Sequence, residues 1–407
     1  MSKQHVLFLH GWSGDTTSYG KIPELLLGEG YSVIELFLGQ YTSGDDMLSI
    51  DDYSIAMEHA VNDPKNNISK PFDIVIHSTG ALIVRKWLSD YHKNSTTSPV
   101  RNFIMAAPAN NGSRLAGYGK KLPWDWGNKV LYALELGSAY TWNLNWDWMN
   151  NQLQNSIPGI KLFHLQGLRN DIDFPKLIEK IDNFFHVDIP GFEESGSDNT
   201  VRFCAANLNM KGVKLKVNET IQAGATKQIN DIPVIIYPDK SHFGSKHGIL
   251  ASIENQNDPV YQTIITILND NNPASSPEDN YPLFAMLNIR VVDQLGNPVE
   301  DFITRFYFGK ENETDQIQIV HRYENKETDC FYLQFKNVSQ ITQFGFRIIE
   351  NQIRNAKYSQ SNTIDLINTS KGINFLELGK THLIEVTIEK SLEEAAFNFK
   401  NLDKINV

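Results

Sequence analysis

The stretch Ile74-Val75-Ile76-His77-Ser78-Thr79-Gly80-Ala81 decides how the rest of the chain reads. Phe72 to Ile76 is a short apolar run of the kind that forms a buried strand. Thr79 to Asp90 has helical spacing, with Leu82, Ile83, Trp87 and Leu88 as its apolar residues. Ser78 therefore stands on a sharp turn between a strand and a helix. A hydroxyl there projects from the sheet edge, where a base can reach it. The start of the helix offers N–H groups to developing negative charge. The spacing fits the last three positions of the G-x-S-x-G nucleophile elbow, with Ile76 where the first glycine would stand. A serine at such a point also serves as a plain helix cap, so the motif alone leaves two roles open.

Working outward, Val6 to Leu9, Ser32 to Phe37, Phe103 to Ala107, Lys161 to Leu165 and Pro233 to Tyr237 read as further strands. Ile22 to Glu29 and Ile50 to Val61 read as helices between them. Short apolar strands alternating with helices predict an α/β fold of the α/β-hydrolase kind, a parallel sheet with helices on both faces. The alternation breaks over about 109–158. That segment holds Trp124, Trp126, Trp142, Trp146 and Trp148, five of the seven tryptophans, and reads as an aromatic-rich cap. Such a cap lines an acyl pocket, touches a membrane interface, or simply packs on the sheet.

Residues 269–282 are polar and rich in turn formers, which marks a linker between a catalytic domain over 1–268 and a second domain over 283–407. The later part carries short strand-like runs, with Asp293 to Pro298 as one turn between them, and predicts an antiparallel β-sandwich.

The net charge of −11 argues against nucleic acid as a partner and gives no general attraction to anionic lipid. The two cysteines, Cys204 and Cys330, form neither a metal spacing nor a disulfide framework. No run approaches the ~20 apolar residues that span a bilayer. Met1 to His5 leads straight into a strand, leaving no room for a secretory signal. The expectation is cytoplasmic synthesis, with any membrane contact peripheral.

His10-Gly11-Trp12 follows the first strand. A turn there aims the next backbone N–H at a substrate carbonyl, so Trp12 and Thr79 are the candidate oxyanion-hole donors. Each such donor is worth about 3–4 kcal/mol in the transition state. His10 reads as structural. An acid and then a base should follow the nucleophile in chain order. Asp198 lies in the polar turn Ser195 to Arg202, ahead of an apolar stretch, with Asp171 and Asp173 as rivals just after a strand. His242 follows the last sheet strand, with His247 as its rival. Histidine suits a base because its ordinary pKa lies near neutrality. A metal on His242 and His247 would lack a third ligand, so no metal or organic cofactor is expected.

Ile76-His77-Ser78-Thr79-Gly80, Ser197-Asp198-Asn199-Thr200-Val201-Arg202 and His242-Phe243-Gly244 through Gly248-Ile249 together resemble the three motifs of the PlaB-like bacterial phospholipases A. That family's pattern runs roughly T-H-S-T-G, S-D-G-x-V-R and H-S-G-x-x-x-G-I. The resemblance points to Asp198 and His242 over their rivals. It departs at Ile76 for Thr, Asn199 for Gly and Phe243 for Ser, none of which removes a reactive group. It implies phospholipase A and lysophospholipase activity, a phospholipid or lysophospholipid substrate, peripheral membrane association and self-association as a homo-oligomer. The residues alone also admit a soluble carboxylesterase, an amide hydrolase, or an inactive hydrolase scaffold that binds a lipid or a partner.

Overall fold

The structure, a computed structural model, describes residues 4–9, 16–38, 48–119, 128–170, 194–217, 221–299, 302–308, 317–325, 327–336, 344–350, 356–358, 363–365, 376–388 and 390–392. His10, Gly11, Trp12, Trp124, Trp126, Asp171 and Asp173 lie outside the described residues.

In the first unit, β1 (His5–Leu9), β2 (Ser32–Leu36), β3 (Phe72–His77), β4 (Val100–Ala106), β5 (Lys161–Gly167) and β9 (Val234–Tyr237) form one sheet in the order β2-β1-β3-β4-β5-β9. Every pairing in it is parallel. The apolar runs explain why. A parallel strand is covered on both faces, so successive residues are buried rather than alternating. On one face Val6, Phe8, Val75, Ile104, Phe163 and Leu165 pack with α1 (Ile22–Gly28) and α8 (Pro259–Leu268) through Ile22, Leu26, Tyr261, Ile264 and Ile267. The alternate residues Leu7, Leu9, Ile74, Ile76 and Met105 are buried as well.

The helices start where local chemistry lets them. α2 (Ile50–Asn62) opens with a capping box, Ser49 Oγ accepting from Asp52 N–H and Asp52 Oδ2 accepting from Ser49 N–H at 2.7 Å. α3 (Gly80–Trp87) follows β3 at once, and Leu88–His92 continues it as one wider π-type turn. The chain passes from β1 out to β2 and returns on the other side of β1 as β3. That reversal makes a crevice beyond the carboxyl ends of β1 and β3, where open α/β sheets hold ligands. Ser78 is the first residue beyond β3.

The segment expected as a cap carries four helices among its described residues: α4 (Arg114–Gly119), α5 (Asn128–Leu134), α6 (Ala139–Asn151) and α7 (Leu153–Ser156). Trp142, Trp146 and Trp148 are all buried. Trp148 takes the Arg85 guanidinium over its ring at 4.8 Å and donates from Nε1 to the Arg85 carbonyl at 3.2 Å. These three rings are spent on packing rather than presented to a membrane interface.

The remaining strands are β6 (Met210–Val217), β7 (Ile221–Ala223), β8 (Lys227–Ile229), β10 (Phe284–Val292), β11 (Phe302–Phe308), β12 (Ile317–Glu324), β13 (Asp329–Phe335), β14 (Phe344–Glu350), β15 (Ala356–Tyr358), β16 (Thr363–Asp365), β17 (Thr381–Ile388) and β18 (Lys390–Leu392). One sheet runs β12-β13-β10-β17-β6-β7, with β8 on β6. β11-β14-β16 and β15-β18 form smaller ones. The predicted turn after β10 is an Asx turn: Asp293 Oδ1 accepts from Leu295 and Asn297 N–H, both at 2.9 Å, and Gly296 takes a φ of 85°.

The units do not divide the chain at a single point. Residues 212–226 group with 287–377 and 382–407, while 227–286 and 378–381 stay with the first unit. The strands of 210–229 therefore belong to a sheet whose other members lie beyond residue 283, which the polar 269–282 stretch gave no reason to expect.

Candidate active site

Ser78 is held in a left-handed conformation, with φ of 54°, at the end of β3. A non-glycine residue there is strained, and strain of this kind persists only where the surroundings fix it. The fixing is visible. Ser78 N–H donates to the Ala106 carbonyl at 3.1 Å, and its own carbonyl accepts from Ala81 N–H at 3.2 Å and Ala109 N–H at 3.3 Å. Gly80 makes the turn possible: a Cβ on it would lie 3.2 Å from both Ile76 Cβ and the Leu9 carbonyl oxygen. The buried Ile76 side chain therefore packs against Gly80, in the space that a side chain at position 80 would take. Thr79 is the N-cap of α3 and is buried. Its N–H sits where a helix supplies no carbonyl of its own.

His242 Nε2 lies 3.0 Å from Ser78 Oγ, and His242 Nδ1 lies 2.8 Å from Asp198 Oδ2. Asp198 is fully buried and His242 nearly so. A carboxylate only accepts, so Nδ1 carries the proton and Nε2 of the neutral ring turns its lone pair to the serine hydroxyl. The arrangement can take a proton from Ser78 and stabilise the imidazolium that results.

The acid and the base are tied together by backbone as well: His242 N–H donates to the Asp198 carbonyl at 3.0 Å. Asp198 sits in a tight turn in which Oδ1 accepts from Thr200 N–H at 3.1 Å and Val201 N–H at 2.8 Å. Asn199, where the family pattern has glycine, takes a φ of 80°, a region that asparagine tolerates better than other side chains. Arg202 closes the root of the turn with a two-pronged bond to Glu194, at 2.9 and 2.7 Å.

The base loop is anchored by Lys240, buried and paired with Asp258 at 2.7 Å. His77 Nε2 lies 3.0 Å from the His242 carbonyl oxygen. The rival His247 faces elsewhere, its Nδ1 accepting from Arg169 at 3.0 Å. Gly248 folds the loop back, since a Cβ there would lie 2.5 Å from the Gly244 carbonyl oxygen. The structure thus brings Ser78, Asp198 and His242 together and turns His247 away. Trp12, Asp171 and Asp173 lie outside the described residues.

Three residues around the site escaped the sequence reading. Gln166 Nε2 lies 2.8 Å from Asp198 Oδ2, and His164 Nε2 lies 3.0 Å from Gln166 Oε1. Gly167 lets the base loop cross the end of β5, because a Cβ on it would lie 2.3 Å from the Lys240 carbonyl oxygen. The available signal was two polar residues at i and i+2, hence on one face, in an otherwise apolar strand. Among the described residues no group of acidic, histidine and cysteine side chains could hold a metal ion.

No protein-family model matches the chain, and no curated protein matches it. Solved structures do. Phospholipase PlaB from Legionella pneumophila, in complex with thio-NAD, superposes with a TM-score of 0.77 at 25% identity, over 99% of this chain and 97% of that one. This chain is PlaB-like. A second structure of PlaB from the same organism gives a TM-score of 0.78 at 23% identity, over 100% of this chain and 97% of its own. The PlaB-like architecture therefore includes the β-rich part as well as the α/β-hydrolase sheet.

Proposed function

We propose that the chain is a serine hydrolase that releases fatty acids from phospholipids and lysophospholipids through an acyl-enzyme on Ser78. The observation that carries the reading is the continuous line of hydrogen bonds from Ser78 Oγ through His242 to the buried Asp198. The full-length likeness to a phospholipase supports a lipid ester as the substrate.

In this mechanism Ser78 Oγ attacks the acyl carbonyl carbon while His242 Nε2 takes the hydroxyl proton. Asp198 holds the imidazolium. The N–H groups of Thr79 and Trp12 bind the oxyanion. Collapse of the tetrahedral intermediate breaks the ester bond, and His242 returns the proton to the departing alcohol. Water, deprotonated by His242, then attacks the acyl-enzyme and frees the fatty acid. General base catalysis of this kind contributes about 10²–10⁴-fold.

Peripheral membrane contact and self-association belong to the same proposal. No helix among the described residues is long and apolar enough to cross a membrane. With a net charge of −11, contact with a bilayer rests on apolar groups rather than on attraction to anionic lipid.

The test is fatty-acid release from phosphatidylcholine, lysophosphatidylcholine and a short soluble ester, for wild type and Ser78→Ala. Cleavage of the phospholipids by wild type alone supports the reading. Cleavage of only the soluble ester moves it to a soluble carboxylesterase. A Ser78→Ala variant as active as wild type refutes the mechanism.

A further inference from the structure

β5 buries two polar side chains that the mechanism above does not use. His164 and Gln166 are fully buried, among apolar Leu162, Phe163 and Leu165. Buried polar groups need partners, and a chain of hydrogen bonds supplies them to Gln166 and to His164 Nε2, while His164 Nδ1 has none among the described residues. Gln166 Nε2 bonds Asp198 Oδ2 at 2.8 Å and the Gly167 carbonyl at 3.1 Å, and His164 Nε2 bonds Gln166 Oε1 at 3.0 Å. Carboxylate and carbonyl oxygens only accept, so Gln166 must turn its NH₂ to Asp198. Its Oε1 then faces His164, which must donate from Nε2. A flipped amide would set its oxygen against the Asp198 carboxylate. Asp198 thereby selects the amide orientation, and His164 meets it in the tautomer protonated on Nε2. Burial drives the His164 pKa down to about 4, which keeps the ring neutral at pH 7.

The placement matters for Asp198. Its Oδ1 is held by two N–H groups of its own turn, whereas Oδ2, among the described residues, bonds His242 and Gln166. Of the partners of Oδ2, Gln166 is the one carried on the central sheet, the most rigid element at hand.

We propose that Gln166, hydrogen-bonded in turn to His164, is a positioning residue: it ties Asp198 Oδ2 to the sheet and so fixes the direction in which His242 Nε2 meets Ser78 Oγ. This inference rests on the serine-hydrolase reading.

Gln166→Leu keeps bulk and burial but removes the donor. The expected result is a 10- to 100-fold loss of kcat on a short soluble ester, about the size seen for second-layer partners, with KM changed by less than about twofold. The rate constant for fluorophosphonate labelling of Ser78 falls by the same factor. The amplitude of the same labelling reaction counts the competent sites, to which kcat is normalised. Gln166→Glu supplies a second readout. Ionised, it opposes Asp198; protonated, it donates to it. The titratable groups facing position 166 are His164 on its own strand, Asp198 from its turn, and His242 beyond Asp198. The activity of Gln166→Glu relative to wild type at the same pH therefore rises as pH falls from about 8 to about 5. A position that does not act on Asp198 or His242 gives a ratio independent of pH. Wild-type kcat and labelling rate in Gln166→Leu, or a flat ratio for Gln166→Glu, overturns the inference. Ser78→Ala run alongside separates the two claims. If it is inert while Gln166→Leu matches wild type, only the positioning role fails. If it matches wild type, the hydrolase reading fails first.

Discussion

His77 donates from Nε2 to the carbonyl oxygen of His242 at 3.0 Å, and the two rings lie 4.7 Å apart. The residue before the nucleophile thus holds the backbone of the residue that faces the nucleophile. A carbonyl only accepts, so His77 carries its proton on Nε2. His77→Phe keeps a ring in the same space and removes the bond, worth about 1–1.5 kcal/mol. The expected outcome is a loss of roughly tenfold in kcat with KM unchanged. His77→Gln, which keeps a donor, should recover most of it. Steady-state kinetics on a soluble ester check both.

Asn199 stands at a φ of 80° beside Asp198. Asn199→Gly should leave stability unchanged or raise it by a few tenths of a kcal/mol, and should leave kcat unchanged. Asn199→Val places a branched side chain in the left-handed region, at a cost of about 1–3 kcal/mol. It should lower the urea midpoint and lower kcat together, because the turn that aims Asp198 is what deforms.

His164 gives a pH dependence of stability. Burial lowers its pKa from 6.5 to about 4 in the folded chain. The unfolded chain takes up a proton near the ordinary value, so between about pH 6.5 and about pH 4 it binds more protons than the folded one. Stability therefore falls as pH falls through that window, by up to about 3 kcal/mol from this residue, and is unaffected by it above the window. His164→Phe should flatten that part of the profile, measured as the difference in urea midpoints between variant and wild type at each pH.

Phe243 is 38% exposed and lies against the His242 ring, with centroids 4.3 Å apart. An exposed aromatic at the base offers apolar contact to an acyl chain. Phe243→Ser restores the residue of the family pattern. It should lower kcat/KM for long-chain esters relative to short ones by roughly fivefold, about 1 kcal/mol of lost apolar contact, while kcat on the short ester stays within about twofold. A chain-length series of nitrophenyl esters reads the ratio directly.

The sheet and the elbow were legible because parallel strands are buried on both faces and leave unbroken apolar runs such as Val6 to Leu9 and Phe72 to Ile76. The choice between His242 and His247 was not legible from the residues alone. It depends on the fold-back at Gly244 and Gly248, which turns His247 to Arg169. Gln166 was missed because apolar periodicity counts what a strand buries and does not ask why a buried residue is polar. The strands of 210–229 show Val213, Leu215 and Val217 alternating with Lys214 and Lys216, a clean strand pattern, but their partner β17 lies far along the chain. Pairing at such separation leaves no local mark. The tryptophans of α6 left three roles open in the sequence, and packing is the one Trp148 takes against Arg85, because aromatic content alone does not say which way a ring faces.

The most direct measurement is covalent labelling by a fluorophosphonate probe, read by intact mass and peptide mapping, on wild type, Ser78→Ala and Asp198→Asn. The account predicts one adduct, on Ser78, in wild type, and none in Ser78→Ala. It predicts labelling slowed by about 10⁴-fold in Asp198→Asn, where His242 is left in the wrong tautomer. Labelling of Ser78→Ala at the wild-type rate, or of a different residue in wild type, would contradict it.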